Sequence, residues 1–355
     1  MKALKMVGWI LVCLVSLAFV AALLYAAQVW FSYARIPDDQ PLAIDKHQEA
    51  LLPVGRTLNI LTDNIGAGVY TADYDFFMDG GTQSRGKSQQ ATLETTDALQ
   101  KIIAEIDPEL ILLQEVDQAA DRSFHVDQAQ SFVDAFSDYA SVFATNYDSA
   151  FLFYPVTHPI GKTRAGMMTL SKYRISEATR KQLPIESGFK KLLDLDRCIS
   201  IARLETDNGR YLSLINLHPS AYVEDQSVLD AQLAVLASAY DAARAQGDYV
   251  ICGGDFNHDL LGGTSPTLFG FEATSKAWLH PLDEAKLPDG ARIAAPTNAP
   301  TVRDSGTPYV AGETFVAVID GFIVSPDIDV VAVETVDNQF AHSDHNPVLM
   351  SFVLN

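Results

Sequence analysis

Polar side chains stand at or near the ends of several short apolar segments in this 355-residue sequence. The apolar segments are typical of buried strands. Carboxylate, amide and imidazole groups that emerge from strand ends meet in space when the strands lie side by side, so such a pattern can build a site on a rigid scaffold. The residues concerned are Asn64, Glu115, Asn216, His218, Asp255, Asn257, Asp344 and His345, with Asp320 inside a strand-like segment.

Each of these groups has an ordinary structural explanation when it is taken alone. A stretch such as GGDFN is usually a turn, in which Asp and Asn bond to their own backbone. Glu115 at a strand end is more often a solvated carboxylate, and a lone His218 is more often a structural imidazole. The functional interpretation therefore depends on the whole set occurring in order along the chain.

The elements that position these groups are about ten strands and two long helices. Thr57–Asp63 and Leu110–Glu115 predict strands, and Ser88–Ile106 between them has the apolar spacing of a helix. The second predicted helix is Val228–Ala245. The other predicted strands are Ser141–Thr145, Gly166–Ser171, Ile199–Glu205, Tyr211–His218, Tyr249–Cys252, Thr314–Val324, Val330–Thr335 and Val348–Leu354. This composition predicts an α/β fold in which two packed sheets are flanked by helices.

Residues 1–35 predict a membrane anchor. The 25 residues from Val7 to Phe31 carry no charge, which is enough to cross a bilayer of ~30 Å at ~1.5 Å per residue. Lys2 and Lys5 precede the span and only Arg35 closely follows it, so the positive-inside rule places the N-terminus in the cytoplasm and the body outside the cell membrane. A cleavable signal peptide is the alternative, although its apolar region is usually ~7–15 residues long and ends in a small-x-small site.

Between the anchor and the body, residues 36–56 mix Pro, Asp and Gln without periodicity, which predicts a spacer. The catalytic body is then residues 57–355. Within it, residues 259–312 contain several prolines and no clean period, and they are too long for a simple connection. They form either a loop that shapes the substrate site or an ordered surface excursion.

The composition restricts the class of partner. There are 45 acidic and 25 basic residues, which gives a net charge of −20. Such a surface repels polyanions, so no tight nucleic-acid binding is expected, although a pocket that holds a cation could accept one phosphate. Three cysteines exclude a disulfide framework. Cys198 and Cys252 are expected to be buried free thiols, with a bridge between them as the alternative.

Taken in order, the polar set resembles the endonuclease/exonuclease/phosphatase superfamily, whose fold is DNase I-like. The resemblance spans about Leu58 to Leu354 and implies a four-layer α/β/β/α sandwich of two mixed sheets. Its most specific parts are GDFN and the C-terminal SDHNPV, with QE upstream. Further stretches resemble a bacterial branch of undefined substrate, some relatives in which act on sugar phosphates; they are NIGAGVY, DFFMDGG, NYDSAFLFYP, LPIESGF and DLDRC.

The resemblance implies a metal centre. Glu115 is the expected principal ligand, with Asn64 beside it and Asp344 closing the site. Oxygen ligands of this kind select a hard cation, so Mg²⁺ is expected, with Mn²⁺ or Ca²⁺ as substitutes. The sequence departs from the family pattern at TRAGMMTLSKYRI, where the usual Gly-Asn pair is missing, so substrate contacts at that edge are expected to differ.

The resemblance also implies the catalytic groups. His345, paired with Asp320, is either the base or an imidazolium that contacts phosphate. Asp255 orients the attacking water or deprotonates it, so either His345 or Asp255 is the base and the sequence leaves both open. His218 would donate to the phosphate or to the leaving group.

Three further residues are expected to contact phosphate. Asn216 and Asn257 would hold phosphate oxygens. Arg197 is a candidate phosphate clamp, since a guanidinium binds phosphate through two parallel hydrogen bonds. The alternative for Arg197 is a surface ion pair with Asp194 or Asp196.

Together these features predict a membrane-anchored, outward-facing, Mg²⁺-dependent phosphoesterase. It would hydrolyse a small or lipid-linked phosphate mono- or diester through attack of an activated water. The alternatives are an extracytoplasmic nuclease, a lipid phosphodiesterase similar to sphingomyelinase or phospholipase C, and a binding module without catalysis. The lipid alternative is disfavoured because no apolar hairpin rich in Trp and Phe is evident in the sequence. No pattern specifies an oligomeric state.

Overall fold

Short apolar segments give this chain two large sheets, and longer amphipathic segments give it helices. The computed structural model describes residues 2–32, 35–187, 196–221, 226–272, 276 and 278–355. The helices are α1 (Lys2–Ser32), α2 (Gln89–Ile106), α3 (Gln128–Ala135), α4 (Gln226–Ala245) and α5 (Ser265–Leu268). The strands are β1 (Gln40–Pro41), β2 (Ile44–Asp45), β3 (Leu58–Asn64), β4 (Leu110–Ala120), β5 (Ala140–Asp148), β6 (Thr163–Ser171), β7 (Ile175–Gln182), β8 (Cys198–Glu205), β9 (Tyr211–Leu217), β10 (Tyr249–Asp255), β11 (His258–Asp259), β12 (His280–Pro281), β13 (Arg292–Ala294), β14 (Val302–Arg303), β15 (Val316–Ala317), β16 (Asp320–Val324), β17 (Ile328–Thr335) and β18 (Val348–Leu354).

Both large sheets have seven strands. The strand order is β1-β7-β8-β9-β10-β16-β13 in the first sheet and β17-β18-β3-β4-β6-β5-β2 in the second. Each sheet is mixed, because β9 and β10 run parallel in the first and β3 and β4 run parallel in the second, while the other neighbours are antiparallel. The carboxyl ends of strands β3 and β10 carry Asn64 and Asp255, which are hydrogen-bonded to each other across the two sheets.

The hydrophobic core lies in three layers. Ile60 and Leu214 belong to the layer between the two sheets. On the outer faces, α4 packs on the first sheet, and α2 and α3 pack on the second. Each large aliphatic side chain buried in this way stabilises the fold by about 1.5–3 kcal/mol. The arrangement confirms the predicted α/β/β/α sandwich. Cys198 and Cys252 are buried free thiols, as expected.

The predicted long elements agree with the structure to within a few residues. Helix α2 begins after Ser88, whose Oγ accepts a hydrogen bond from the Ala91 amide at 3.1 Å, as an N-cap does. Strand β7 and helix α3 had no sequence prediction. Thr314–Val324, predicted as one strand, is two, because the carbonyls of Val318 and Ile319 accept hydrogen bonds from Leu260 and Phe256 instead of from a strand neighbour.

The segment expected to be a spacer is docked on the body instead. Strand β1 pairs with β7 at the edge of the first sheet, and β2 pairs with β5 at the edge of the second. An edge strand offers unpaired N–H and C=O groups, and an extended segment satisfies them. The side chain of Leu52 is also fully buried in the core between the sheets. The prediction of a spacer that holds the body away from the membrane therefore differs from the structure.

Residues 259–312 are likewise ordered wherever the structure describes them. Strand β13 forms the edge of the first sheet beside β16, and β14 pairs with β15. Trp278 and Val302 line the cavity described below. The segment is therefore not a single loop, and part of it forms a wall of the site.

Helix α1 is long and apolar enough to be a membrane span or a signal sequence. Its residues Leu4–Ser32 have a mean hydropathy of 2.7 in the most apolar window, and none of that window is buried by the rest of the chain. Only its carboxyl end touches the body. The hydroxyl of Tyr25 donates to the carbonyl of Phe151 and accepts from the amide of Phe153, both at 3.1 Å.

Replacing Gly254 should be far more damaging than replacing Gly247. Both glycines have positive φ, of 147° and 85°, so alanine is strained at either position. At Gly254, however, a Cβ would lie 2.1 Å from the carbonyl oxygen of Leu217, whereas at Gly247 it would meet nothing within 4 Å. Gly247→Ala should cost about 1–2 kcal/mol of unfolding free energy, and Gly254→Ala about 3 kcal/mol or more.

The free energy of unfolding of each variant is measured by urea titration of the full chain in detergent, with tryptophan fluorescence as the signal. Equal losses for the two variants would show that the contact between Gly254 and Leu217 does not constrain the strands.

Candidate active site

The centre of the site is a buried hydrogen-bonded set that joins the two sheets. The Asn64 amide Nδ2 donates to Asp255 Oδ2 at 3.0 Å and lies 3.4 Å from His345 Nε2. On the other side of the imidazole, His345 Nδ1 lies 2.9 Å from Asp320 Oδ2. Asp255 Oδ2 is also 3.8 Å from His345 Nε2 and 3.4 Å from His218 Nε2. Five predicted site residues therefore meet in one place.

Local backbone geometry fixes these side chains. Asp320 begins β16 directly opposite Asp255, the last residue of β10. After β10 the chain turns at Asn257, which has a φ of 50°. The backbone N–H of Asn257 donates to Asp255 Oδ1 at 2.8 Å. This is the Asp-based turn that GGDFN indicates. His345 lies before β18 and forms an isolated bridge with Val302.

Burial and neighbouring charges separate the ionisation of the central groups. Burial raises the pKa of Asp255 to about 7, although His345 opposes this effect. Burial alone would lower the pKa of His345, but the carboxylates of Asp320 and Asp255 raise it well above the ordinary value. Burial, with help from the cation of Arg197, lowers the pKa of His218. The site thus favours an imidazolium at His345 and a neutral imidazole at His218.

Asp63 adds a further buried acid next to this set. Both of its carboxylate oxygens lack a hydrogen-bond partner among the described residues. Burial raises the pKa of Asp63 to about 8, and the charge of Asp320 adds to the rise. Its surroundings therefore favour the neutral acid.

Glu115 lies on the wall of the cavity, where a bulge in β4 positions it. The register of β4 with β6 shifts between Leu113 and Val116, and Glu115 in the bulge has a φ of 53°, a conformation that costs a non-glycine residue energy. Arg122 Nη1 donates to Glu115 Oε2 at 3.2 Å. The same guanidinium binds both oxygens of buried Asp117, at 3.1 and 2.9 Å.

The residues on this wall fit a divalent cation. Glu115 and Asp344 both line the cavity, and they are close enough for Glu115 to add to the rise in the pKa of Asp344 that burial causes. Gly66 leaves room beside them, because a Cβ there would lie 3.1 Å from Asp344 Oδ1. Two carboxylates and the Asn64 amide form an oxygen-rich set of the kind that hard cations prefer. Asp255, Asp320 and His345 are a second group that could hold an ion, because one ligand atom from each lies within 4.8 Å of the other two.

These groups surround a cavity of about 180 Å³. Eight of the ten predicted site residues line it: Asn64, Glu115, Arg197, His218, Asp255, Asn257, Asp344 and His345. Asp320 lies behind His345 and does not line the cavity. Apolar and aromatic side chains, among them Tyr70, Met78 and Trp278, form the rest of the wall. The lining of the cavity therefore combines charged and polar groups with apolar side chains.

Asn216 is the other predicted residue that does not line the cavity. Its Nδ2 donates to the carbonyls of Leu113 at 3.2 Å and Met168 at 3.0 Å, and its Oδ1 accepts from Gln114 at 2.9 Å. The amide thus joins the first sheet to the second and has no polar atom left for phosphate. Asn216 lies inside a strand of buried residues, before its last residue Leu217. That position is the signal in the sequence for a structural role.

Two other predicted phosphate contacts are partly occupied. Asn257 uses its Nδ2 to donate to the carbonyl of Pro219 at 3.0 Å. Arg197 is buried and donates from Nη1 to the carbonyl of His218 at 3.2 Å. Of the two suggested ion-pair partners of Arg197, Asp194 lies outside the described residues.

Arg122 and Arg303 were not predicted as site residues, yet both are buried and line the cavity. Arg303 donates to backbone carbonyls, including that of Thr71 at 2.9 Å, and so supports the wall of the cavity. Arg122 follows the acidic pair Glu115 and Asp117 in QEVDQAADR, and this spacing is the only signal in the sequence. The bulge that brings the three together is a product of strand pairing.

Sequence comparison decides the family. The profile of the Endonuclease/Exonuclease/phosphatase family matches residues 59–345. The chain belongs to this family. It is accordingly a hydrolase of phosphoester bonds, in a family whose members typically depend on a divalent metal. No curated protein is similar enough in sequence to count as a match.

Solved structures show the same DNase I-like fold. The endonuclease/exonuclease/phosphatase from Beutenbergia cavernae is 15% identical, with a TM-score of 0.58 over 84% of this chain and 72% of its own. A family protein from Leptotrichia buccalis is 14% identical, with a TM-score of 0.55 over 83% and 99% of the two chains. TDP2 from D. rerio, in a complex with a single strand DNA product, is 14% identical, with a TM-score of 0.52 over 83% and 98%.

The pairing of His345 with Asp320 predicts that Asp320→Asn lowers the pKa of the imidazole. The expected fall is about 1 unit or more, because an opposite charge within hydrogen-bonding distance favours the charged form. The measurement is an NMR titration of the imidazole nitrogens in the presence of a chelator. Asp327→Asn, which removes a carboxylate paired with Arg210 and Arg244, is the control and should leave the titration unchanged. An unaltered pKa in Asp320→Asn would contradict the assignment.

Proposed function

We propose that this protein is a membrane-anchored, outward-facing, Mg²⁺-dependent phosphoesterase that hydrolyses a phosphate mono- or diester. One observation carries the proposal. Asp255 and His345, the partner of Asp320, line a single cavity together with the carboxylates of Glu115 and Asp344. Such a cavity combines groups that can activate water with oxygen ligands for a cation.

The charges of the central groups favour one division of roles. Hydrolysis needs a base for the attacking water, positive charge at the phosphoryl oxygens, and a proton for the leaving oxygen. His345, whose pKa is raised well above its ordinary value, is an imidazolium and suits the phosphoryl oxygens. Asp255, with its pKa raised to about 7, is the stronger candidate for the base. Neutral His218 next to Asp255 is placed to donate an N–H to the phosphate or the leaving group.

Glu115, Asp344 and Asn64 would hold Mg²⁺ in the same cavity. The bound ion would neutralise charge on the phosphate during attack. Arg122 holds the Glu115 carboxylate in place through one hydrogen bond and is itself fixed by Asp117. Mn²⁺ and Ca²⁺ suit the same oxygen ligands and are expected to substitute.

Helix α1 supports the anchor, and its flanking charges support the orientation. Lys2 and Lys5 precede the span, and only Arg35 closely follows it. This asymmetry favours a cytoplasmic N-terminus and an external body. A small or lipid-linked phosphoester then suits an enzyme held at the membrane surface.

A nuclease remains the second candidate, because the similar TDP2 structure from D. rerio holds a single strand DNA product. The net charge of −20 opposes this assignment, since DNA binding depends largely on cationic contacts with phosphates. Hydrolysis of plasmid DNA, with a rate that falls steeply as salt rises, would favour the nuclease.

Glu115→Gln should abolish metal-dependent hydrolysis without unfolding the protein. The change keeps the side-chain shape but removes the charge that a cation requires, so turnover should fall by roughly 100-fold or more. The measurement is a rate screen of the full chain in detergent, with Mg²⁺ or EDTA, against sugar phosphates, inositol phosphates, bis-p-nitrophenyl phosphate, sphingomyelin and plasmid DNA. Glu94→Gln, on the exposed face of α2, is the matched control and should leave the rate unchanged.

Turnover that is insensitive to EDTA, or equal in the two variants, would exclude the proposed metal mechanism. Silence of the wild-type chain across the panel would favour a binding module.

The proposed orientation predicts opposite labelling at two engineered cysteines. In a Cys13→Ala background, a membrane-impermeant maleimide added to intact spheroplasts should label Gln246→Cys on the body and leave Leu4→Cys unlabelled until the membrane is permeabilised. Cys198 and Cys252 are buried and should not react in the folded protein. Labelling of Leu4→Cys alone in intact spheroplasts would reverse the orientation.

A further inference from the structure

An apolar hairpin, which was not evident in the sequence and whose expected absence had disfavoured a lipid substrate, lies between β5 and β6. It comprises residues 149–162, and an isolated bridge between Leu152 and Gly161 closes its stem. Three large side chains at its tip are exposed, Phe153 by 53% and Tyr154 and Val156 by 67% each. Burying each would gain about 1.5–3 kcal/mol, so leaving all three in water is costly. Contiguous exposed apolar residues of this kind mark an interaction surface.

The hairpin tip is part of a larger apolar surface. The Tyr154 ring lies 5.6 Å from the Phe77 ring, and the neighbouring Met78 is 57% exposed. Outside α1, nine large apolar side chains are exposed among the described residues, and four of them belong to this surface: Met78, Phe153, Tyr154 and Val156. We call these four residues the apolar surface. Exposed large apolar side chains are therefore concentrated at this surface.

The position of helix α1 indicates what covers this surface. At ~1.5 Å per residue, about 20 residues cross the hydrocarbon core, so a span that begins at Val7 reaches the far boundary near Ala26. Tyr25 lies at that boundary, where aromatic residues are enriched. Its hydroxyl is bonded to the backbone of Phe151 and Phe153, in the hairpin itself. A bilayer that contains α1 therefore also meets the hairpin.

The hairpin itself carries no negative charge. From Ser149 to Arg164 the sequence has no acidic residue, although the chain as a whole has a net charge of −20. Lys162 and Arg164, at the base of the hairpin, are both exposed. Asp148, opposite Arg164 in the strand register, and Asp121, which accepts from the Lys162 amide, partly offset these cations, so the apolar tip carries the membrane contact and the local charge does not oppose it.

We propose that the apolar surface inserts into the outer face of the bilayer beside α1 and turns the mouth of the active-site cavity toward the lipid headgroups. Met78 both belongs to the apolar surface and lines the cavity, and Ile160 of the hairpin stem lines it too. The substrate class is accordingly a phosphoester carried on a lipid. This substrate assignment rests on the proposed phosphoesterase function, whereas the membrane contact does not.

Membrane insertion is tested on the full chain in vesicles. The protein, with Cys13→Ala and Phe153→Cys, is labelled with the fluorophore NBD and reconstituted into vesicles of equal phosphatidylcholine and phosphatidylglycerol. We expect a blue-shifted emission and strong quenching by lipids that carry a spin label near the headgroup. Gln246→Cys, beyond the amino end of β10 and so at the opposite end of the first sheet from the site, is the control and should be unquenched.

Val156→Cys serves as a second probe at the hairpin tip, so that a folding defect of one variant does not decide the result. Equal emission and quenching at the tip and at Gln246→Cys would overturn the proposal.

The substrate class is tested separately, by comparing hydrolysis of a phospholipid headgroup in vesicles with hydrolysis of bis-p-nitrophenyl phosphate in solution. Phe153→Ser combined with Tyr154→Ser should lower the rate on the lipid at least 10-fold and leave the soluble rate unchanged. Equal losses on both substrates would overturn the lipid assignment. Quenching in Glu115→Gln separates the two proposals, since insertion should persist in that variant even if no substrate is ever hydrolysed.

Discussion

The structure depends on ionisable groups that are buried together where the two sheets meet. Asn64 and Asp255 end the central strands of different sheets and are bonded to each other, and His345 with Asp320 completes the set. Buried charges are tolerable only when they are paired and hydrogen-bonded, so each group requires the others to be in place. The same mutual dependence shifts their pKa values apart, which gives one site an imidazolium and a carboxyl group that titrates near neutrality.

Glu115 is also held by buried paired charges, although a different backbone feature positions it. A bulge in β4 places Glu115 in a left-handed conformation, and the buried Arg122 binds Glu115 and Asp117 together. Removing that arginine would leave the Asp117 carboxylate buried without its partner, which typically costs 3–5 kcal/mol. The Glu115 carboxylate, which is expected to bind the metal, is therefore held by an arginine whose loss would destabilise the fold.

The N-terminal region is connected to the site more closely than its sequence indicates. Strands β1 and β2 pair with the edges of the two sheets, so residues 40–45 belong to the body. The carboxyl-terminal part of α1 is bonded to the hairpin whose stem lines the cavity. With α1 as the proposed anchor, these contacts would restrict rotation of the body above a membrane and give the cavity a fixed direction relative to the bilayer.

The sequence by itself determined the family, the layered fold and most members of the site. Apolar periodicity located the long strands and helices, and Asn64 and Asp255 end strands β3 and β10 as predicted, because turn chemistry is local. Glu115, predicted at a strand end, lies instead at a bulge inside β4. Only the tertiary structure decided the rest. Asn216 bonds between sheets, Arg122 pairs with Glu115 across a bulge, residues 36–56 complete the sheet edges, and an apolar hairpin lies against α1. These features depend on which strands become neighbours, and that contact between distant segments leaves no periodic signal in the chain.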